Sequence, residues 1–210
     1  MSARKVVFEV GEFYHLYNRG NDKRKIFLTN NDYQRFICSL YAANSSSPIH
    51  LSDLRQWSKQ VWKQDRKKVL VNIGAYCLMP NHFHLLVQLK KDTGQVKINN
   101  VRYRTFQIIP ELMKRVCVTY CNKFNNRHQR EGVLLQGEYK IKAVPTDSYV
   151  IQVSRYMHQN PVTAGLVKNP EDWLWSDYIN YLHPNSLSQY KFVNPSLILS
   201  YFGNSRSEYV

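Results

Sequence analysis

Apolar residues alternate in some stretches of this chain and recur at three- and four-residue spacing in others, and the change of period predicts its elements. EFYHLYNRG, residues 12 to 20, has strand composition and ends at a turn glycine. DYQRFICSLYAA, residues 32 to 43, sets Phe36, Ile37, Leu40 and Tyr41 at helical spacing, with Asn30 and Asn31 available as caps. VLVNIGAYCLM, residues 69 to 79, reads as a strand, Pro80-Asn81 turns the chain, and HFHLLVQLK, residues 82 to 90, returns as the second arm of a hairpin. Residues 90 to 107 are polar and basic and carry no core pattern. A helix is predicted from about 108 to 125, with Leu112, Val116, Val118, Tyr120 and Phe124 as its apolar set and Lys114, Arg115 and Lys123 outside. GEYKIKAV, residues 137 to 144, alternates: Tyr139, Ile141 and Ala143 face one way, Lys140 and Lys142 the other. Thr146 or Asp147 caps the next helix, predicted to run to Asn160 because Pro161 disfavours its continuation, and Ala164-Gly165 marks a further helix end.

The resulting order, β-α-β-β-α-β-α, predicts an α+β domain with a ferredoxin-like split βαβ sheet, the topology also used by RNA-recognition domains, with helices on one face and a C-terminal helical extension. Residues 44 to 68 interrupt the pattern as a basic, amphipathic surface insertion with a short helix, Leu51, Leu54, Trp57 and Val61 lying roughly on one side. The expected organisation is one domain over residues 1 to 178, insertion included, and an extension over 179 to 210 packed on it.

Composition changes this picture in one respect. Lysine and arginine number 29 against 15 acids, a net charge of +14, which favours a polyanionic partner, most commonly nucleic acid. A basic surface with no such partner is the plainer alternative. No stretch is apolar for the roughly 18 residues a membrane span needs, and the N-terminus has no signal-peptide pattern, so a cytoplasmic, nucleoid-associated protein with no membrane partner is expected. Cys38, Cys77, Cys117 and Cys121 form no Cys-x-x-Cys pair, which fits reduced thiols and argues against a zinc site.

The candidate chemistry lies in two segments. In MPNHFHLLVQ, residues 79 to 88, His82 and His84 are two apart on a strand, so they project together while Phe83 turns into the core. Two imidazoles so placed can chelate one metal ion, or be satisfied by ordinary hydrogen bonds. In SRYMHQNPV, residues 154 to 162, Tyr156 and Asn160 are one helical turn apart and can present a phenol and an amide oxygen to one centre, or serve as a core aromatic and a helix terminator.

Taken together and in order, YHLYNRGNDKRKIF, CLMPNHFHLLV, LLQGEYKIKAV and SYVIQVSRYMHQNPVTAGLV resemble the single-tyrosine HUH transposases, specifically the REP-associated tyrosine branch of the IS200-like transposases, over roughly residues 12 to 178. The resemblance implies that Tyr156 is a nucleophile, that His82, His84 and Asn160 ligate Mg²⁺ or Mn²⁺, and that single-stranded or hairpin DNA is cut and rejoined through a 5′-phosphotyrosine. Many members of the wider group carry glutamine where Asn160 stands; asparagine is shorter but offers the same carbonyl oxygen. Phenols titrate near pH ~10 in water, so metal-bound phosphate, a base or a cation must assist. No base is evident: His158 is on the right helix but faces another way. Tyr149, two turns before Tyr156, is a rival nucleophile; Tyr120 is expected in the core, and His15, one strand from the centre, either in a packing or surface role or as a helper near the site.

For the DNA surface the candidates are Arg19, Lys23, Arg24 and Lys25 after the first strand, Arg102 and Arg104, Lys140 and Lys142, and the basic residues from Arg55 to Lys68. Exposed members of the 15 tyrosines could stack on unpaired bases. Monomer and homodimer are both compatible with the resemblance. Two other functions are weighed beside strand transfer: a ferredoxin-like module that binds structured DNA or RNA without chemistry, and a metallohydrolase using the histidines alone.

Overall fold

The computed structural model describes residues 6–47, 49–90, 97–98, 101–183, 192–203 and 205–209. In chain order these form β1 (Phe13–Arg19), α1 (Asn30–Ala43), α2 (Trp57–Gln60), β2 (Val71–Met79) and β3 (His82–Leu89). There follow β4 (Lys97–Ile98), β5 (Val101–Arg102), α3 (Thr105–Arg127), β6 (Lys140–Val144), α4 (Asp147–Thr163), α5 (Tyr178–Leu182) and α6 (Ser196–Leu199).

β2, β3, β1 and β6 lie side by side in that order, each neighbouring pair antiparallel, which is the split βαβ sheet. Strand alternation sends Tyr14 and Leu16 of β1 and Phe83, Leu85 and Val87 of β3 to one face, where α1 and α3 cover them. Phe36 of α1 and Phe83 pack with ring centres 4.8 Å apart, and Phe83 is wholly buried. The two helices interleaved between strands therefore share one face, as the sequence order implies. α4 lies on the other: Val150, Val153 and Met157 pack against Phe13, Ala75, Cys77 and Leu86, together with Tyr178, Tyr181, Ile198, Leu199 and Tyr209 from the C-terminal residues. Those residues also reach the outer edge of β2, where Leu78 N–H donates to the Trp175 carbonyl and Asn194 N–H to that of Ile73, at 2.9 Å each. In the 44 to 68 segment Leu51 and Val61 enter the core below α1 and α3, with Leu54, Trp57 and Trp62 packed partly against it.

Three helix ends and one strand pair differ from the sequence expectation. α1 starts two residues before Asp32 and is capped at Thr29 rather than by Asn30 or Asn31: the Asp32 carboxylate accepts from Thr29 N–H at 2.8 Å and Leu28 N–H at 3.0 Å. α3 starts at Thr105, because Gln107 reaches back to Arg104 N–H at 2.9 Å. α4 continues through Pro161 to Thr163, since only the proline's own N–H is missing; Ala164 N–H still reaches the Asn160 carbonyl at 2.9 Å, and Gly165 at φ +67° ends the helix. β4 and β5, in the stretch without core pattern, form a ribbon too short to show a period, anchored by the buried Ile98. The cysteines are free thiols, and burial pushes Cys38 up to about 12 and Cys121 to about 11.

Candidate active site

The sheet face under α4 carries the polar residues that the first face lacks. Register places Tyr17 of β1 opposite His84 and Arg19 opposite His82, while His15 and Tyr17 lie opposite Lys142 and Lys140 of β6. Directly opposed residues in antiparallel strands share a face, so three strands contribute His15, Tyr17, Arg19, His82, His84, Lys140 and Lys142 to one surface. α4 crosses it, and the rings of Tyr156 and His84 meet edge to face with centres 5.9 Å apart. A pocket of about 360 Å³ results, lined by His15, Tyr17, His84, Lys142, Tyr149, Gln152, Val153 and Tyr156.

Hydrogen bonds orient the imidazoles. His82 Nδ1 lies 2.6 Å from Asn81 Oδ1, an acceptor, so Nδ1 holds the proton and Nε2 keeps its lone pair. His84 Nδ1 and His15 Nε2 are 2.8 Å apart; with His84 as donor, its Nε2 is likewise a lone pair, and that atom is enclosed with no hydrogen-bond partner among the described residues. Burial pushes His15 and His82 down to about 4, with Lys142 and Arg19 adding to it respectively; His84 lies well below the ordinary range, through burial first and then His15 and His82. All three rings are therefore neutral at pH 7. The His82 and His84 rings stand perpendicular, 4.9 Å between centres.

α4 is held from behind. His158, turned away from Tyr156, is buried; its Nδ1 meets the Tyr209 hydroxyl at 2.8 Å and its Nε2 the Asp177 carboxylate at 2.9 Å. Asp177 also accepts from Tyr76 N–H of β2 at 2.7 Å, so the network ties the helix to the sheet. Asn160 is partly buried on α4, and its amide nitrogen is enclosed without a partner among the described residues. Neither Asn160 nor His82 lines the pocket.

No protein-family model matches the chain. A curated protein of Haemophilus influenzae named "Putative REP-associated tyrosine transposase" is 27% identical over 131 residues, 61% of this chain and 71% of that protein. A solved structure of a REP-associated tyrosine transposase bound to a REP hairpin superposes with a TM-score of 0.56, at 15% identity, over 93% of both chains. The chain is thus similar in sequence to one protein named as a REP-associated tyrosine transposase and shares the fold of another.

Beside the motif's own residues the pocket holds two others, neither of which the sequence assigns to ligation or attack. His15 is a direct partner of His84, and Tyr17 packs 5.8 Å from the His84 ring and 5.0 Å from that of His15. Their signal was present, since His15 and Tyr17 share parity on the first strand, but the β1–β3 register that brings them beside His84 is not written in either strand. Of the basic candidates, Arg19, Lys140 and Lys142 share the site's face. Lys23, Arg24 and Lys25 lie in the turn after β1, which docks on the turn before His82: Gly20 N–H donates to the Asn81 carbonyl and Ile26 N–H to that of Pro80, both at 2.8 Å. Gly20 has no room for a side chain there, because a Cβ would meet the Arg24 carbonyl. Arg24 is tied to Asp22 at 3.2 Å. Arg102 and Arg104 are not brought to the site. The C-terminal end of α3 reaches the start of α1, where His128 meets Asp32 at 3.0 Å, so the first turn of α3 lies at the far end of the layer.

Proposed function

We propose that this chain cuts and rejoins single-stranded DNA at hairpin-forming repeats, with Tyr156 as nucleophile and a divalent cation, Mg²⁺ or Mn²⁺, held by His82, His84 and Asn160. The observation that carries the reading is the approach of the Tyr156 ring to His84 across one pocket, from a distant helix onto a central strand. The donor set fits the ion: neutral imidazoles with free lone pairs at Nε2, and an enclosed, unpartnered amide whose half-turn exchanges its nitrogen and oxygen. When bound, the cation would act as a Lewis acid on the scissile phosphate.

The chain's own residues do the rest. The Tyr156 oxygen attacks phosphorus, forming the tyrosyl O–P bond as the P–O3′ bond breaks; the phenol proton passes to solvent, to which Tyr156 is 55% exposed, and the departing O3′ takes one up. Rejoining is the reverse: a 3′-OH attacks the phosphotyrosine and frees the phenol, so no nucleotide cofactor is consumed. Lys142, on the pocket wall, offers its charge to the phosphate, and Arg19, Lys140 and Lys23 to Lys25 extend the positive surface along which a strand could lie. His15 orients His84, and Asn81 orients His82.

Three tyrosines line the pocket, and Tyr156 is favoured because it alone sits on α4 against the histidine ring with Asn160 one turn beyond. The deciding experiment incubates the protein with a hairpin oligonucleotide bearing a single-stranded flank and Mn²⁺, then separates the products on denaturing gels. A protein–DNA adduct is expected from the unaltered chain and from Tyr17→Phe and Tyr149→Phe, and none from Tyr156→Phe, which should still bind the DNA. An adduct formed by Tyr156→Phe removes the nucleophile assignment; DNA binding with no adduct from any form would leave a non-catalytic binding domain.

A further inference from the structure

On the opposite side of the sheet a groove runs between α1, α3 and residues 49–57. Two adjoining hollows of about 320 and 440 Å³ form it, and Arg35 and Lys123 line both. Their size suits a small organic group; such pockets span about 300–1,000 Å³. Arg35 is 7% exposed, yet no carboxylate and no hydrogen bond engages it among the described residues, and its Nε is enclosed without a partner. Its guanidinium carbon lies over the face of Trp57, 4.9 Å from the ring centre. A buried cation with no counter-charge is costly to keep and is normally completed by an anion. The acid that lines the groove, Asp32, is already committed to the α1 cap and to His128.

We propose that this groove is a second nucleic-acid subsite that takes one unpaired nucleotide of single-stranded DNA, its phosphate on Arg35 and Lys123 and its base against Trp57. A planar guanidinium presents a fork of donors matched to phosphate oxygens, and an indole offers a stacking face to any base. Lys123 is exposed and adds a mobile charge at the mouth, while Asn126 supplies amide groups for a base edge. Asn31 and Asp32, from the first turn of α1, line the first hollow, and α1 begins just after the basic turn of Lys23 to Lys25. The proposal rests on the reading of the chain as a protein that acts on DNA.

The test uses the full chain in EDTA and a fluorescein-labelled single strand of about 12 nucleotides, within the usual span of such sites, followed by anisotropy at low salt. Arg35→Met, Trp57→Phe and Lys123→Ala are each expected to weaken binding about fivefold or more. Quenching of tryptophan emission by the oligonucleotide should shrink in Trp57→Phe. Arg35→Met should be no less stable to urea than the parent, since it removes an uncompensated buried charge; should it fail to fold, the exposed Lys123 keeps the test intact. Lys123→Ala and Trp57→Phe binding within about twofold of the parent, or an abasic strand or inorganic phosphate occupying the groove as well as the oligonucleotide, overturns the proposal. Adducts are scored separately: weakened binding without any adduct keeps this subsite and fails the catalytic reading, and normal adducts with unchanged binding do the reverse.

Discussion

Tyr209→Phe isolates the hydroxyl that holds α4 from behind. The ring itself stacks on Tyr181 at 4.5 Å and meets Phe202 edge-on at 5.8 Å, contacts that phenylalanine keeps. What disappears is the 2.8 Å bond to His158 Nδ1, together with the hydroxyl's interaction with Ser154, in a place where His158 is 1% and Tyr209 2% exposed. Leaving a buried polar atom unsatisfied costs about 1–3 kcal/mol. For a chain of this size each kcal/mol moves the melting midpoint by about 2–4 °C, so a fall of roughly 2–12 °C is expected. Urea unfolding followed by circular dichroism gives the free energy directly. Hydrogen exchange should show the loss concentrated in α4, because His158 and Ser154, the partners of the hydroxyl, both lie on that helix. Tyr209→Ala, which also removes the packed ring, should cost about 3–5 kcal/mol. A Tyr209→Phe change below about 0.5 kcal/mol, the size of an ordinary surface substitution, would refute the idea that the C-terminal residues anchor the helix bearing the proposed nucleophile.

Two further perturbations address the site and its scaffold. His15→Phe keeps the ring but withdraws the partner of His84 Nδ1, and Mn²⁺ affinity, read from the electron-paramagnetic-resonance signal of the free ion, should fall about 10–100-fold; an unchanged titration would make His15 a bystander. Asp32→Ala should cost about 1–2 kcal/mol through the lost α1 cap, and the pH dependence has a definite sign. Burial raises the Asp32 carboxyl, but hydrogen bonds from His128, Thr29 and Leu28 outweigh it and hold the group below its ordinary 3.8. The unfolded chain then binds the proton more readily than the folded one, so the contribution is full above pH 3.8 and is lost as pH falls through the depressed folded value. Urea midpoints of parent and Asp32→Ala should therefore converge on acidification below pH ~4; a gap that stays constant would contradict the assignment.

The strands and helices were legible where a period was sustained. HFHLLVQLK announces a strand whose odd member, Phe83, is core and whose histidines share the other face, and that is what β3 does. The two-residue strands β4 and β5 were not legible, because two residues cannot display a period, and the run of α4 past Pro161 was hidden because proline disfavours a helix without forbidding it. Arg102 and Arg104 looked like the other basic candidates in sequence, and only the direction of α3 separates them from the histidines.

Alternation and helical spacing, set by local backbone geometry, by themselves determined the order of the main elements, the pairing of His82 with His84 on one face, and the turn that joins Tyr156 to Asn160. Tertiary structure alone decided that α4 lies across the histidine face, that His15 and Tyr17 sit beside His84, and that His158 looks back to Tyr209 and Asp177. The physical reason is that these are contacts between residues 19 to 69 positions apart or more. They depend on strand register and on which sheet face a helix finds uncovered, quantities set by the packing of the whole chain rather than by any segment of it.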